Sequence, residues 1–182
     1  QSWDKKFVVA IVGPPTTPDY DAKLRAYIAQ KNLSDVVVMH GRVPYSEMPT
    51  FYARADAVVN MCPTGGMDKT VLEGLASRTL AIVANTAFRE LFGEYADELI
   101  YPYQNAEELA KKIKVLFSKS DEELVRMREF LHERMVAHSS LETRIPIIVG
   151  ELKNLWETQE RFGLEERSGK GRTLRRVFHR NL

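Results

Sequence analysis

Two adjacent glycines, a lysine and a glutamate fall within nine residues of this chain, in the stretch GGMDKTVLE at residues 65–73. Together they have the makings of a site for a phosphorylated ligand. Gly65 and Gly66 let backbone N–H groups approach a ligand with no Cβ in the way. The loop opens into a helix, and the unpaired amides and positive dipole end of a helix favour a phosphate or another anion. Lys69 adds a full positive charge beside those amides, and Met67 and Thr70 complete the loop-to-helix junction. Glu73, about one turn in, can accept hydrogen bonds from a neutral diol such as a ribose. Taken one at a time, the glycine pair is also a plain turn, Lys69 a solvated charge and Glu73 a surface residue matched to the helix dipole.

The elements needed to hold this stretch in place can be read around it. A β-rich run at residues 57–61 leads into Pro63-Thr64-Gly65-Gly66. Asp68 or Thr70 can cap the helix that follows, Val71, Leu72, Leu75 and Ala76 give it a buried face, and residues 80–84 return as a buried strand. Upstream, FVVAIV at residues 7–12 is a continuous apolar, β-branched run, the pattern of a strand covered on both faces. It exits through Gly13-Pro14-Pro15 into a helix with Tyr20, Leu24, Tyr27 and Ile28 at helical spacing, closed by Asn32. Residues 36–39 form a second strand that leads into His40-Gly41-Arg42-Val43, and Ser46 is expected to cap a helix bearing Met48, Phe51, Tyr52 and Ala55. Strands alternating with helices predict an α/β fold, a doubly wound parallel sheet with ligands outside the carboxyl ends of its strands. That rule selects the loops after Val12, Met39 and Met61, and all three contain glycine. Asn85-Thr86 lies on the same edge.

Downstream, residues 99–101 read as a last short strand. Asn105 or Gln104 starts a helix carrying Leu109, Ile113 and Leu116, and Ser120 with Glu123 forms a capping box for the next. Pro146 is expected in the first turn of a further helix with Ile148, Leu152, Leu155 and Trp156. Arg78 follows the central helix at a place suited to glycine, so a positive φ there costs about 1 kcal/mol.

The segments VVAIVG, VVVMHGRV, FYARADAVVN and GGMDKTVLE, in that order, resemble the nucleotide-sugar-binding half of a GT-B glycosyltransferase of the large retaining group (group 1, family 4). The group's signature is a glutamate, seven residues and a second glutamate. Glu73 matches the second glutamate and Lys69 the lysine of the pattern, while the first glutamate falls on Gly65. The resemblance implies a nucleotide-binding set of Gly13, Gly41, Arg42, Val43, Gly65, Gly66, Met67, Lys69, Thr70 and Glu73, with Gly13 approaching the donor and residues 41–43 bordering the base. Arg42 could stack on the base, reach a phosphate or pair with a nearby acid. His40 reads as a strand-end residue. Lys69 is implied to stabilise the leaving diphosphate. Asp68, the carboxylate nearest Gly65, is assigned to the sugar in place of the absent glutamate.

The resemblance also implies a hexosyl donor, retention, a glycan or lipid-linked acceptor held by an amino-terminal domain, and no metal or other cofactor. Beginning at Gln1, the chain reads as a piece of something longer, lacking the first βα unit and inactive by itself. Residues 1–162 are expected as the Rossmann-like domain with its terminal helices, and residues 163–182 as a basic tail. The tail carries Arg167, Lys170, Arg172, Arg175, Arg176 and Arg180, interleaved with Leu174, Val177 and Phe178. Such a segment suits an anionic membrane surface, could equally bind nucleic acid, or is simply a solvated terminus; on the membrane reading the protein is cytoplasmic and peripheral at the inner face of the membrane. A net charge of +1 over 182 residues gives no argument for nucleic acid. One cysteine, Cys62, excludes an internal disulfide. Val12-Gly13-Pro14-Pro15 lacks the GxGxxG spacing of a dinucleotide dehydrogenase. Two other readings keep the same architecture: a sugar-nucleotide epimerase, and a non-catalytic nucleotide-binding module.

Overall fold

The computed structural model of the chain describes residues 7–165. These divide between Val136 and Ala137 into two compact units. The basic-tail residues 166–182 lie outside the described residues.

The first unit is built from parallel strands alternating with helices, as its sequence pattern requires. The order is β1 (Val9–Val12), α1 (Pro18–Gln30), β2 (Val37–Gly41), a 3-10 turn (Tyr45–Glu47), α2 (Met48–Arg54), β3 (Ala57–Asn60), α3 (Lys69–Ala76) and β4 (Leu80–Val83). After β4 come a 3-10 turn (Thr86–Phe88), the short helices α4 (Arg89–Phe92) and α5 (Ala96–Leu99), and then α6 (Ala106–Leu116) and α7 (Asp121–Ser139). The doubly wound α/β class holds. Its strands form two parallel pairs, β1 with β2 and β3 with β4. The registers run Val9↔Val37 to Ile11↔Met39 and Ala57↔Leu80 to Asn60↔Val83. The segment expected as a last strand contributes one parallel bridge, Val83↔Ile100.

Residues 7–12 were expected to be covered on both faces, and here the structure differs. Val8 is 66% and Val9 43% exposed, whereas every residue of β4 is fully buried. The reason lies in the pairing. β4 sits between β3 and Ile100 and underlies α3 and α6, while among the described residues β1 pairs with β2 alone. In the doubly wound order a further parallel strand separates the two pairs, and the described residues contain none. The apolar run is therefore strand, as its β-branched composition dictates, but it lacks the second neighbour that would bury it.

The core lies on the other side of the unit. Leu75 of α3, β4, Phe88, Phe92, Leu99, Leu116, Met127 and Leu131 pack together, and the rings of Phe88 and Phe92 stack at 5.5 Å. α3 approaches β3 closely because position 74 is glycine: a Cβ there would lie 2.9 Å from Val58 Cγ2. Alanine favours a helix over glycine by about 1 kcal/mol, but overpacking costs about 1–3 kcal/mol. Gly74→Ala is therefore expected to lower the unfolding free energy by about 1 kcal/mol in urea denaturation. An unchanged or raised midpoint would show that Val58 yields without penalty.

Local signals set most helix ends. The Asn105 side chain accepts from the Glu108 amide at 3.0 Å. Ser120 and Glu123 form the capping box, with Ser120 N donating to Glu123 Oε2 at 3.0 Å and Glu123 N to Ser120 Oγ at 3.3 Å. Arg78 does adopt φ +57° and pairs with Glu129 at 2.8 Å. Ser46 does not cap α2. It lies inside the 3-10 turn, and α2 follows with no side-chain cap because Glu47 is already αR.

In the second unit, α8 (Leu141–Glu165) starts before Pro146. Ser140 Oγ accepts from the Thr143 amide at 3.2 Å and its carbonyl from Arg144 at 2.9 Å. Pro146 therefore sits within the helix, where it removes one ladder bond. Among the described residues no helix is long and apolar enough to cross a membrane.

Candidate functional site

Each strand of the two pairs ends in a loop on the carboxyl edge, and hydrogen bonds join these loops to one another. Gly13 N, after β1, donates to Gly41 O, at the end of β2, at 2.8 Å. Both residues take positive φ, +136° and +66°, so both turns call for glycine. Tyr45, in the turn after β2, donates through its hydroxyl to Glu73 Oε1 of α3 at 2.9 Å. Asn85, at the end of β4, donates through Nδ2 to Gly66 O in the loop after β3 at 3.2 Å. Gly13, Gly41, Gly65, Gly66, Glu73 and Asn85 thus belong to one connected edge. A Cβ built on Gly13, Gly41, Gly65 or Gly66 would meet nothing within 4 Å, so the space over these turns is open. Val43 is half-buried in the loop after β2.

The loop between β3 and α3 is fixed by two polar residues. Asn60, buried at the end of β3, accepts from Cys62 N at 3.1 Å and donates to Asp68 Oδ2 at 3.0 Å. Asp68 is the N-cap of α3: its Oδ1 accepts from Thr70 N at 3.0 Å and Thr70 Oγ1 at 2.9 Å. A carboxylate oxygen has two lone pairs, so only Oδ2 keeps a free one. Among the described residues the amides of Gly65, Gly66, Met67 and Lys69 donate to nothing. They lie in the loop before α3 and at its first residue, with Gly65 at φ +95°. Lys69, the first residue of α3, is exposed and unpaired among the described residues, as is Arg42.

Burial works to raise the Asp68 carboxyl, but hydrogen bonds from the Thr70 amide and hydroxyl and from Asn60 outweigh it, and its pKa lies below the usual value. A folded pKa below the unfolded one, about 3.9, gives stability that is present above that pH and lost as pH falls through the folded value. Asp68→Ala is accordingly expected to lower the unfolding free energy by about 1 kcal/mol at neutral pH. Its difference from the parent should close below about pH 4. Thermal melts over pH would check this, and a gap of undiminished size near pH 2 would mean that the ionised carboxylate is not the cap.

Glu73 lies four residues after Lys69, on the same face of α3. The two do not pair, because the carboxylate is held elsewhere: Tyr45 donates to Oε1 and Tyr52 to Oε2, each at 2.9 Å. Burial first, and then the hydrogen bond to Glu73, raise the Tyr52 hydroxyl well above its ordinary value. Glu73 is therefore anchored rather than free in solvent. His40 packs edge-on against Phe51, with ring centroids 5.0 Å apart, in keeping with a strand-end role.

Sequence reasoning assigned no role here to Asn60, Tyr45 or Tyr52. Tyr52 was placed on an apolar helix face, where a buried hydroxyl still requires an acceptor. That requirement was the available signal. The bonds that bring Asn60 to Asp68 and Tyr45 to Glu73 carry none, since they reach across 8 and 28 residues.

The family described as "Glycosyl transferases group 1" matches residues 2–134. No curated protein sequence matches the chain. Among solved structures, that of Anabaena HepE in complex with UDP is similar to it at TM-score 0.71 and 16% identity, covering 81% of this chain and 41% of that one. Sucrose-phosphate synthase from Thermosynechococcus elongatus gives 0.65 at 20% identity, covering 84% and 39%. The C-terminal domain of the group 1 family protein LpcC from Francisella tularensis gives 0.63 at 18% identity, covering 74% and 70%. At these identities the likeness concerns the fold. The chain spans about two fifths of the first two proteins.

Proposed function

Because the chain belongs to the glycosyl transferases group 1 family, we propose that it is the donor-binding half of a transferase that takes a sugar from a nucleotide-diphosphate sugar. The observation that carries this reading is the single carboxyl edge, on which unpartnered amides at residues 65–67 and 69 and the Lys69 ammonium share a helix start with the anchored Glu73. Amides and ammonium suit a diphosphate, and a carboxylate one helical turn further on suits the ribose diol. Lys69 and the amides stabilise charge as it develops on the leaving diphosphate. Arg42, Val43 and Gly41 border the base, and Gly13 the donor. Asp68 Oδ2, with its one free lone pair, is the carboxylate oxygen available to a donor hydroxyl near Gly65.

The finer assignments belong to the same proposal: a hexose transferred with retention, and a glycan or lipid-linked acceptor bound by an amino-terminal domain. So do the metal-free step, a chain inactive by itself, and a cytoplasmic protein held at the inner membrane face by the basic tail. The complex of HepE with UDP makes uracil the first base to try. One pair of observations favours a second reading. Gly65 carries no carboxylate and Asp68 is largely consumed as a cap, which would also describe a nucleotide-binding module without transfer.

A thermal-shift panel of UDP, GDP, ADP and their sugar conjugates against the full-length protein tests the proposal. A ligand that binds only the folded state raises the apparent stability by mass action, by about 2.7 kcal/mol at a hundredfold excess over Kd. At least one diphosphate is expected to raise the melting temperature, with its sugar conjugate raising it further. No shift with any member would remove the nucleotide site. Equal shifts with diphosphate and conjugate would favour the module.

A further inference from the structure

The two hydroxyls on Glu73 are chemically alike and structurally opposite. Tyr52 is 7% exposed, lies against α3 and has its carbonyl fixed by the Thr79 hydroxyl at 2.6 Å, so its bond to Oε2 belongs to the framework. Tyr45 is 75% exposed, sits in a 3-10 turn, and its side chain makes no other hydrogen bond or ring contact among the described residues than its bond to Oε1. A tyrosine hydroxyl and a sugar hydroxyl each offer one O–H donor. An exposed residue therefore places on the outer oxygen of Glu73 the group that a ribose would bring.

We propose that Tyr45 is a displaceable cap on Glu73: its hydroxyl holds the oxygen that a nucleotide's ribose hydroxyl takes, and it swings out when the nucleotide binds. This rests on the reading of Glu73 as the ribose acceptor. Tyr52 stays in place throughout and keeps the carboxylate aimed. With the site empty, the cap satisfies an acceptor that would otherwise lose part of its hydration among the loops. The bond to Glu73 also holds the Tyr45 hydroxyl above its ordinary pKa, as donation to an ionised carboxylate requires. Binding must first open the cap, and the apparent affinity falls by the fraction open. A cap closed about 70–90% of the time weakens binding by about three- to tenfold.

The test is calorimetric titration of UDP, with GDP and ADP in parallel, into the full-length protein and its variants. Tyr45→Phe and Tyr45→Ala are both expected to tighten binding by about three- to tenfold, and Tyr45→Phe should give no gain in a Glu73→Ala background. With 3-fluorotyrosine at position 45, the 19F resonance of the saturated protein should move to the position it has in Glu73→Ala without ligand. If Tyr45→Ala weakens binding while Tyr45→Phe leaves it unchanged, the ring packs on the nucleotide and the cap is wrong. Two variants within twofold of the parent, or a gain that persists without Glu73, would overturn it equally. If neither the parent nor any variant binds a diphosphate, the nucleotide reading itself fails, and the cap with it.

Discussion

Replacing Lys69 with alanine in the full-length protein is expected to lower sugar transfer at least tenfold, and to weaken the nucleoside diphosphate and its sugar conjugate alike. Lys69 is the first residue of α3, exposed and without an ion pair among the described residues. It stands beside the run of amides that donate to nothing. No partner among the described residues competes for its charge, so its removal subtracts directly from whatever anion the loop holds. A tenfold loss corresponds to about 1.4 kcal/mol, modest for a full charge beside a diphosphate. In the proposed site Lys69 faces phosphate rather than sugar, so the loss should fall on both ligands. Steady-state assay with titration of each ligand reads this out, and a loss confined to the conjugate would move Lys69 to the sugar. Lys69→Ala should leave the melting temperature of the free protein nearly unchanged, since nothing in the fold depends on the ammonium.

The second large effect is on Glu73. Glu73→Ala should weaken diphosphate binding by about 1–3 kcal/mol, the usual size of a lost hydrogen bond to a charged group. It differs from Lys69→Ala in also touching the fold. Tyr52 donates to Oε2 from a buried position, and removing the acceptor leaves that hydroxyl unsatisfied, at about 1 kcal/mol or more of stability. Glu73→Gln keeps an acceptor for one tyrosine and separates the two losses: stability should largely return while affinity stays reduced. Unchanged affinity in Glu73→Ala with the fold intact would make Glu73 a structural residue that only orients Tyr45 and Tyr52.

Residues whose partners are close in sequence were legible, and those whose partners are distant were not. Ser120 and Glu123 cap α7 from three residues apart, Asn105 and Glu108 do the same for α6, and the positive φ of Arg78 follows from its place after α3. The glycines at 13, 41 and 65 were legible as turns, and all three take positive φ. The strand at residues 7–12 was legible as strand from its β-branched run. Its exposure was not, because burial depends on what lies beside it. Ser46 and Pro146 misled for a related reason: each is a good signal for a helix start, but Glu47 already continues the 3-10 turn into α2, and Ser140 starts α8 earlier. Within the candidate site, the order strand, glycine loop, helix was legible, and it puts Lys69 and Glu73 in α3, the helix that follows β3. The bonds that fix the site, Asn60 to Asp68, Tyr45 to Glu73, Tyr52 to Glu73 and Asn85 to Gly66, span 8 to 28 residues. No local pattern encodes them.

The central claim is that the carboxyl-edge loops of this chain form one nucleotide site, and a crystal structure of the full-length protein with UDP bound tests it most directly. The account predicts the diphosphate against the amides at residues 65–67 and Lys69, the ribose hydroxyls on Glu73 with Tyr45 turned away, and the base beside residues 41–43. Density for the nucleotide anywhere else on the protein, or on this edge with Lys69 and Glu73 both out of contact, would contradict it.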